Sequence, residues 1–338
     1  MTRTLMLVAL TAAFVLQAGV AGPRAQDCEP VGDVEFICGQ VGPEDLVAVP
    51  DTPWVLVSSY PEGTGGLRVV DTRDLSSAVL LPTDSPRERF DSATWDACPG
   101  PAPIDNTHGL YVVPGGGAVR TVYAVHHGHR ESVEVFELDV SAAPPALTWV
   151  GCAVAPEPLN LNSVVALPEG GFAATSFRNL GAPIEPIMTG ALSGAIWEWH
   201  TGTGWEMVPG SETSGPNGIE ISPDGRWFYI GAWGTQSFVR LSRGQTPVQR
   251  AEAAAEFRID NLRMQPDGSI LATGQGSKGM PMTTSNVARV DPRTLELEEI
   301  IRHPYNDAFG SGTTAIEVGD EIWVGSVRSD RIARFKVQ

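Results

Sequence analysis

Positive charge is scarce in this chain. Of 338 residues, 23 are Lys or Arg against 40 Asp or Glu, a formal charge of −17 at pH 7. A surface of that sign repels phosphate backbones and anionic lipid, which argues against nucleic acid and membrane as partners. Cysteine is sparse too. Cys28, Cys38, Cys98 and Cys152 are the whole set, and no Cys-x-x-Cys pair or Cys/His cluster has zinc spacing. Beyond the first 25 residues there is no apolar run long enough to span a bilayer. Long amphipathic helical periodicity is also missing; residues 250–257 read at most as one or two helical turns. The sequence has no Gly-x-Ser-x-Gly elbow, His-Glu-x-x-His helix, phosphate-binding Gly-Lys-Ser/Thr loop or contiguous EF-hand loop. Gly310-Ser311-Gly312 is a lone turn signal.

The first 25 residues read as a secretory signal peptide. Arg3 supplies the positive start, an apolar stretch follows to Val20, and Ala18, Ala21 and Ala25 offer small residues for cleavage. The expected product is residues 26–338, exported to a periplasmic or extracellular space with no transmembrane segment. Loss of Arg3 and Arg24 takes its charge to −19. An even cysteine count in an exported chain favours two disulfides. Cys28–Cys38 and Cys98–Cys152 are the expected pairs, because the first two flank a short N-terminal segment.

What is present is turns and short strands. Gly (37) and Pro (27) are abundant without a collagen period, which suits a chain of many turns. Runs rich in β-branched and aromatic residues begin at Trp54, Thr121, Val133, Trp227, Ser269 and Glu321. One pattern recurs: an oxygen-bearing side chain, a strand, then a tight turn. Its clearest copy is Pro216-Asn217-Gly218-Ile219-Glu220-Ile221-Ser222-Pro223-Asp224-Gly225. Other copies start near Asp45, Thr107, Asn162, Asn261 and, more weakly, Thr313. Spacings of roughly one four-stranded unit each predict an all-β, six-bladed β-propeller forming a single domain. Residues 31–38 are expected to close the ring as an extra strand of the last blade. Two interruptions stand out: 178–190, a candidate lid in blade three, and 84–100, a polar connection between blades one and two.

Equivalent positions of propeller blades converge on the axis, so the repeat concentrates oxygens there. Glu44, Asn162, Asn217, Asp260 and Asn261 provide five oxygen-bearing side chains from four blades. Calcium prefers six to eight carboxylate, amide and carbonyl oxygens, and this set suits it. His108 opens blade two, and His127 follows the strand that begins at Thr121. The pair would form a dyad in which one imidazole orients the other for proton abstraction from water. His126 and His129 read as solvated turn residues. With no activated serine in view, metal-assisted attack by water is the economical route to hydrolysis.

Glu44-Asp45-Leu46, His108-Gly109-Leu110, the strand end at His127, Leu161-Asn162, the Asn217 string and Asp260-Asn261 together resemble the paraoxonase/arylesterase family. That family belongs to the calcium-dependent propellers that include gluconolactonase and strictosidine-synthase-like proteins. The resemblance runs from about Val31 to Phe335. It implies a catalytic calcium on Glu44, Asn162, Asn217, Asp260 and Asn261, a His108–His127 dyad, and hydrolysis of a small-molecule lactone or aryl ester. Asp260 has a second possible role as base or nucleophile beside the metal. The family's second, structural calcium would correspond to Asp45, the Leu110 carbonyl and Ser163. Ser163 stands where the family has an aspartate, and a neutral hydroxyl is a poorer ligand. The family's disulfide between the N-terminal strand and the last blade has no counterpart, since no Cys follows Cys152. Two alternatives stand beside this reading: a non-catalytic, calcium-stabilised ligand-binding propeller, and a sugar lactonase using another divalent metal. The latter's sites are richer in carboxylate, whereas the set here is rich in amides.

Overall fold

The computed structural model describes residues 29–276 and 281–337. Among the described residues, twenty-five strands fold into six sheets. The inner strands of blades one to six are Pro43–Ala48, Thr107–Val112, Leu159–Ala166, Pro216–Ile221, Arg258–Met264 and Gly312–Val318. Each touches the next around the ring, and the last touches the first. The fold is therefore a closed six-bladed β-propeller. In every blade the four strands counted outward from the inner one pair antiparallel. Short connections and alternating apolar residues favour that arrangement.

Inner strands are buried on both faces because each lies between neighbouring blades; Pro216–Ile221 is buried at every position. The cores form between blades. Val165, Ala173 and Ile196 of blade three pack with Ile219, Phe228 and Val239 of blade four in one such layer. Residues 31–38 deliver the expected closure. Glu35–Cys38 pairs antiparallel with Arg331–Lys336 and becomes the outermost strand of blade six. Backbone pairing and burial of Phe36 and Ile37 hold it there.

Blade two carries a fifth strand. Arg87–Glu88, from the connection 84–100, pairs parallel with Ala146–Val154. The same connection is tied down by the Cys98–Cys152 disulfide, as expected. Trp95 packs beside it, where a Cβ on Gly151 would lie 2.2 Å from the indole. The expected Cys28–Cys38 pair, like the signal sequence, involves residues outside those described. Residues 250–257 do not form helical turns. Arg250–Ala254 is the edge strand of blade four, because pairing with Ser237–Ser242 outweighs the helical preference of its alanines. Among the described residues, the one α-helix is Glu185–Met188, within the blade-three loop.

Candidate active site

All six inner strands are irregular at the same place. Pairing with the second strand slips between Pro43 and Leu46, Thr107 and Leu110, Leu161 and Val164, Pro216 and Ile219, Ile259 and Leu262, and Gly312 and Thr314. A β-bulge leaves residues unpaired and re-aims their side chains. The residues inside these slips are Glu44-Asp45, His108-Gly109, Asn162-Ser163, Asn217-Gly218, Asp260-Asn261 and Thr313. The sequence repeat is thus a repeated bulge, and it supplies all five proposed ligands of the catalytic calcium. Two slips carry glycine for a steric reason. A Cβ on Gly218 would lie 2.6 Å from the Asp260 carbonyl oxygen, and one on Gly109 would lie 2.5 Å from that of Asn162. Side chains there would push the blades apart.

A cavity of about 460 Å³ opens over these bulges. Glu44, His108, His127, Asn162, Asn217, Asp260 and Thr313 line it, with Tyr60, Phe177, Trp233 and Tyr305 among its walls. Asn261 lies beneath, its Nδ2 donating to Glu44 Oε1 at 2.7 Å. All five proposed ligands are therefore brought together. Their remaining oxygens are unpartnered: Glu44 Oε2, Asn162 Oδ1, Asn217 Oδ1 and Asn261 Oδ1 are buried and accept no hydrogen bond from the described protein. Buried acceptors are normally satisfied. Four orphans on one floor fit a hard cation with oxygen ligands. Asp260 Oδ2 accepts from Gln275 Nε2 at 2.5 Å. Burial, and after it the Glu44 carboxylate, push Asp260 up to about pKa 7. Two crowded, buried carboxylates behave this way, with Gln275, His108 and Asn217 offsetting only part of the rise, and a cation between them would reverse it.

The histidines form a chain. His108 Nδ1 lies 2.9 Å from His127 Nε2, and His127 Nδ1 lies 2.8 Å from Glu131 Oε2. The carboxylate is acceptor-only, so His127 carries its proton on Nδ1 and accepts through Nε2. His108 then carries its proton on Nδ1. Its Nε2 lone pair is left facing the ligand floor, 3.5 Å from Glu44 Oε1. Burial alone would depress His108, but Glu44, helped by Asp260 and Asp45, more than reverses this, so it titrates above an ordinary imidazole. Tyr60 sets its ring edge-on to both histidines, with centroids at 4.7 and 6.0 Å.

His126 is not a solvated turn residue. It ends the strand Val119–His126, fully buried, with Thr107 and Ser132 as its pairing partners. Burial, then the charges of His127 and Arg130, push it down to about pKa 4. His129 is half exposed and 3.5 Å from Asp105. In the loop 178–190, Arg178 and Ile184 line the cavity, while Ile187 is buried.

The residues proposed for a second calcium do not fit one. Asp45 Oδ1 accepts from the Leu46 amide at 2.9 Å and Thr314 Oγ1 at 3.0 Å. Its Oδ2 accepts from the Leu110 amide at 2.7 Å and from Arg263 Nη2. The Leu110 carbonyl accepts from Arg263 Nη2 at 3.1 Å. Ser163 is fully buried with its hydroxyl unpartnered, and its amide donates to Thr175 Oγ1. A guanidinium, with its own charge and donors, already uses these acceptors.

Sequence reasoning overlooked Glu131, Gln275 and Arg263. Glu131 follows His127 by four residues across a turn, which was a usable signal. Arg263 shares strand parity with Asn261, so a charged residue at an axis-facing position was also visible. A separate cluster of Glu169, Glu198 and His200 lies on blade three, facing Arg243 of blade four. Arg243 bonds both of its carboxylates, so it is an ion-pair network.

No family model matches the chain, and no curated protein matches it by sequence. Solved structures do match. One is a luciferin-regenerating enzyme, 12% identical with a TM-score of 0.56, covering 92% of this chain and 99% of its own. Another is a candidate gluconolactonase, 14% identical with a TM-score of 0.55, covering 93% and 97%. A third is a catalytically inactive virginiamycin B lyase from Staphylococcus aureus, 12% identical with a TM-score of 0.53, covering 90% and 99%. These proteins share the propeller. Their names span different chemistries, so the fold alone selects none of them.

Proposed function

We propose that this protein is an exported, calcium-dependent hydrolase of lactones or esters. The observation that carries the reading is the pairing of an orphaned oxygen floor with a hydrogen-bonded His108–His127–Glu131 chain in one cavity. A ligand-binding propeller would use the floor but would have no need of a base aimed at it. The propeller shared with a candidate gluconolactonase is compatible with such a substrate, but the side chains of the site carry the reading.

Glu44, Asn162, Asn217, Asp260 and Asn261 would hold the calcium ion. When bound, it supplies positive charge that polarises a carbonyl oxygen and stabilises the developing oxyanion. His108 Nε2 takes the proton of the attacking water. The new Nε2–H imidazolium keeps its Nδ1–H on His127, whose own proton is anchored on Glu131, so the charge is shared along a fixed chain. Gln275 fixes Asp260 Oδ2, and the Asn217 amide also bonds this carboxylate, which holds it in the floor. Tyr60, whose hydroxyl burial and Glu44 keep neutral, shields the dyad from bulk water. The set is rich in amides with two carboxylates, which favours calcium over zinc or manganese.

The direct test is turnover by the purified mature protein on a panel of lactones and aryl esters, with calcium and with chelator. Hydrolysis that disappears with chelator and returns with calcium is the expected result. Ligand binding without turnover on every substrate would favour the binding propeller instead.

A further inference from the structure

We propose that Arg263 is a built-in cation: it stands where a second metal ion would sit below the oxygen floor, so the protein takes up one divalent ion. The inference starts from topology. Arg263 lies two residues after Asn261 on the inner strand of blade five, and its side chain is buried. From there it crosses the axis. Nε donates to the Leu46 carbonyl at 3.0 Å in blade one, and Nη2 reaches Asp45 Oδ2 in the same blade. Nη2 also donates to the Leu110 carbonyl at 3.1 Å in blade two, and Nη1 to the Leu262 carbonyl at 2.8 Å in its own strand. Thr314 of blade six joins through Asp45 Oδ1 at 3.0 Å.

One guanidinium thus gathers two backbone carbonyls and a carboxylate from two neighbouring blades, as a hard divalent cation would. It differs from an ion in two respects. It is covalently part of the chain, so no chelator removes it. It also brings fixed, directional donors that use up the Asp45 carboxylate.

The consequence concerns the floor above. Asp45 follows Glu44, Leu110 lies two residues after His108, and Arg263 lies two after Asn261. Arg263 therefore ties together the three strands that carry a metal ligand, the base, and the Asp260-Asn261 ligand pair. It is a positioning residue, distinct from the groups that would touch substrate. A chain built this way keeps its axial geometry without any ion, and metal binding becomes a local event of the upper site.

The experiment is a calcium count. Wild-type protein is stripped with chelator, and calcium binding is measured by isothermal titration and by elemental analysis after dialysis. One ion per chain is expected; two per chain would overturn the proposal. The Arg263→Ala variant exposes the Asp45 carboxylate and the Leu110 carbonyl. It is expected to lower the melting temperature in chelator, to bind a second calcium ion, and to regain its loss at millimolar calcium. If Arg263→Ala folds yet still binds one ion, with no more calcium-dependent melting than wild type, the assignment is wrong. Should that variant not fold, the double variant Asp45→Asn/Arg263→Met removes both charges at once. Binding of one ion by it supports the proposal, and binding of two refutes it.

Discussion

Glu131→Gln inverts the imidazole chain without changing its shape. In the native site Glu131 Oε2 accepts from His127 Nδ1 at 2.8 Å, while Oε1 accepts from the Leu161 amide at 2.5 Å. A glutamine keeps the Leu161 bond through its oxygen and presents an NH2 group to His127. His127 must then accept at Nδ1 and carry its proton on Nε2. That proton points at His108 Nδ1, which turns acceptor, and His108 moves its own proton to Nε2. The lone pair facing the floor is lost. General-base catalysis by a positioned side chain contributes about 10²–10⁴-fold, so kcat should fall by about 100-fold or more. At about 1.4 kcal/mol per decade that is roughly 3 kcal/mol of transition-state stabilisation. KM and calcium affinity should stay within about twofold, because neither the floor nor the cavity wall changes. The assay is pH-stat turnover of the best lactone beside calcium titration of the same preparation. A variant within threefold of wild-type kcat would refute the tautomer chain and with it the assignment of His108 Nε2 as base.

The floor and the base should separate by mutation: Asn217→Ala or Asp260→Ala should abolish activity and weaken calcium binding by about 100-fold or more, whereas His108→Gln should lose activity with calcium content held. Full turnover by His108→Gln on every substrate would end the dyad hypothesis. Burial pushes Glu220 up to about pKa 7 against an ordinary 4.5, with Arg263 opposing. From about pH 4.5 to 7 the native state therefore holds a proton that the unfolded chain has released, and stability falls as pH rises. At about 1.4 kcal/mol per pH unit the loss approaches about 3 kcal/mol. In saturating calcium, Glu220→Gln should recover most of it near pH 7 and little at pH 4.5; a pH-independent difference in denaturant unfolding would contradict this. Arg178, whose Nη1 donates to the Ala182 carbonyl at 2.8 Å, and the exposed Arg328 both line the cavity. Lactones bearing a carboxylate should show a lower KM than neutral analogues, and the gap should shrink in high salt and in Arg178→Gln/Arg328→Gln. Equal KM values for both substrates in wild type would remove that role.

Sequence alone determined the architecture. Six copies of one strand-and-turn pattern can bury their apolar faces only by stacking around an axis, so repetition dictates a ring, and blade length sets its number. It also determined which oxygens and which histidines meet, because equivalent positions of a ring converge. What the tertiary structure decided was the use of each copy. The bulge that aims Glu44, His108, Asn162, Asn217 and Asp260 inward is a mismatch between two strands, and no single strand encodes it. Burial of His126 against exposure of His129 followed from where the strand Val119–His126 ends. Residues 250–254 became a strand because a neighbour offered an edge. Asp45 and the Leu110 carbonyl read as ligands for an ion. Only packing could show Arg263 reaching them from blade five, because that contact joins residues 218 positions apart.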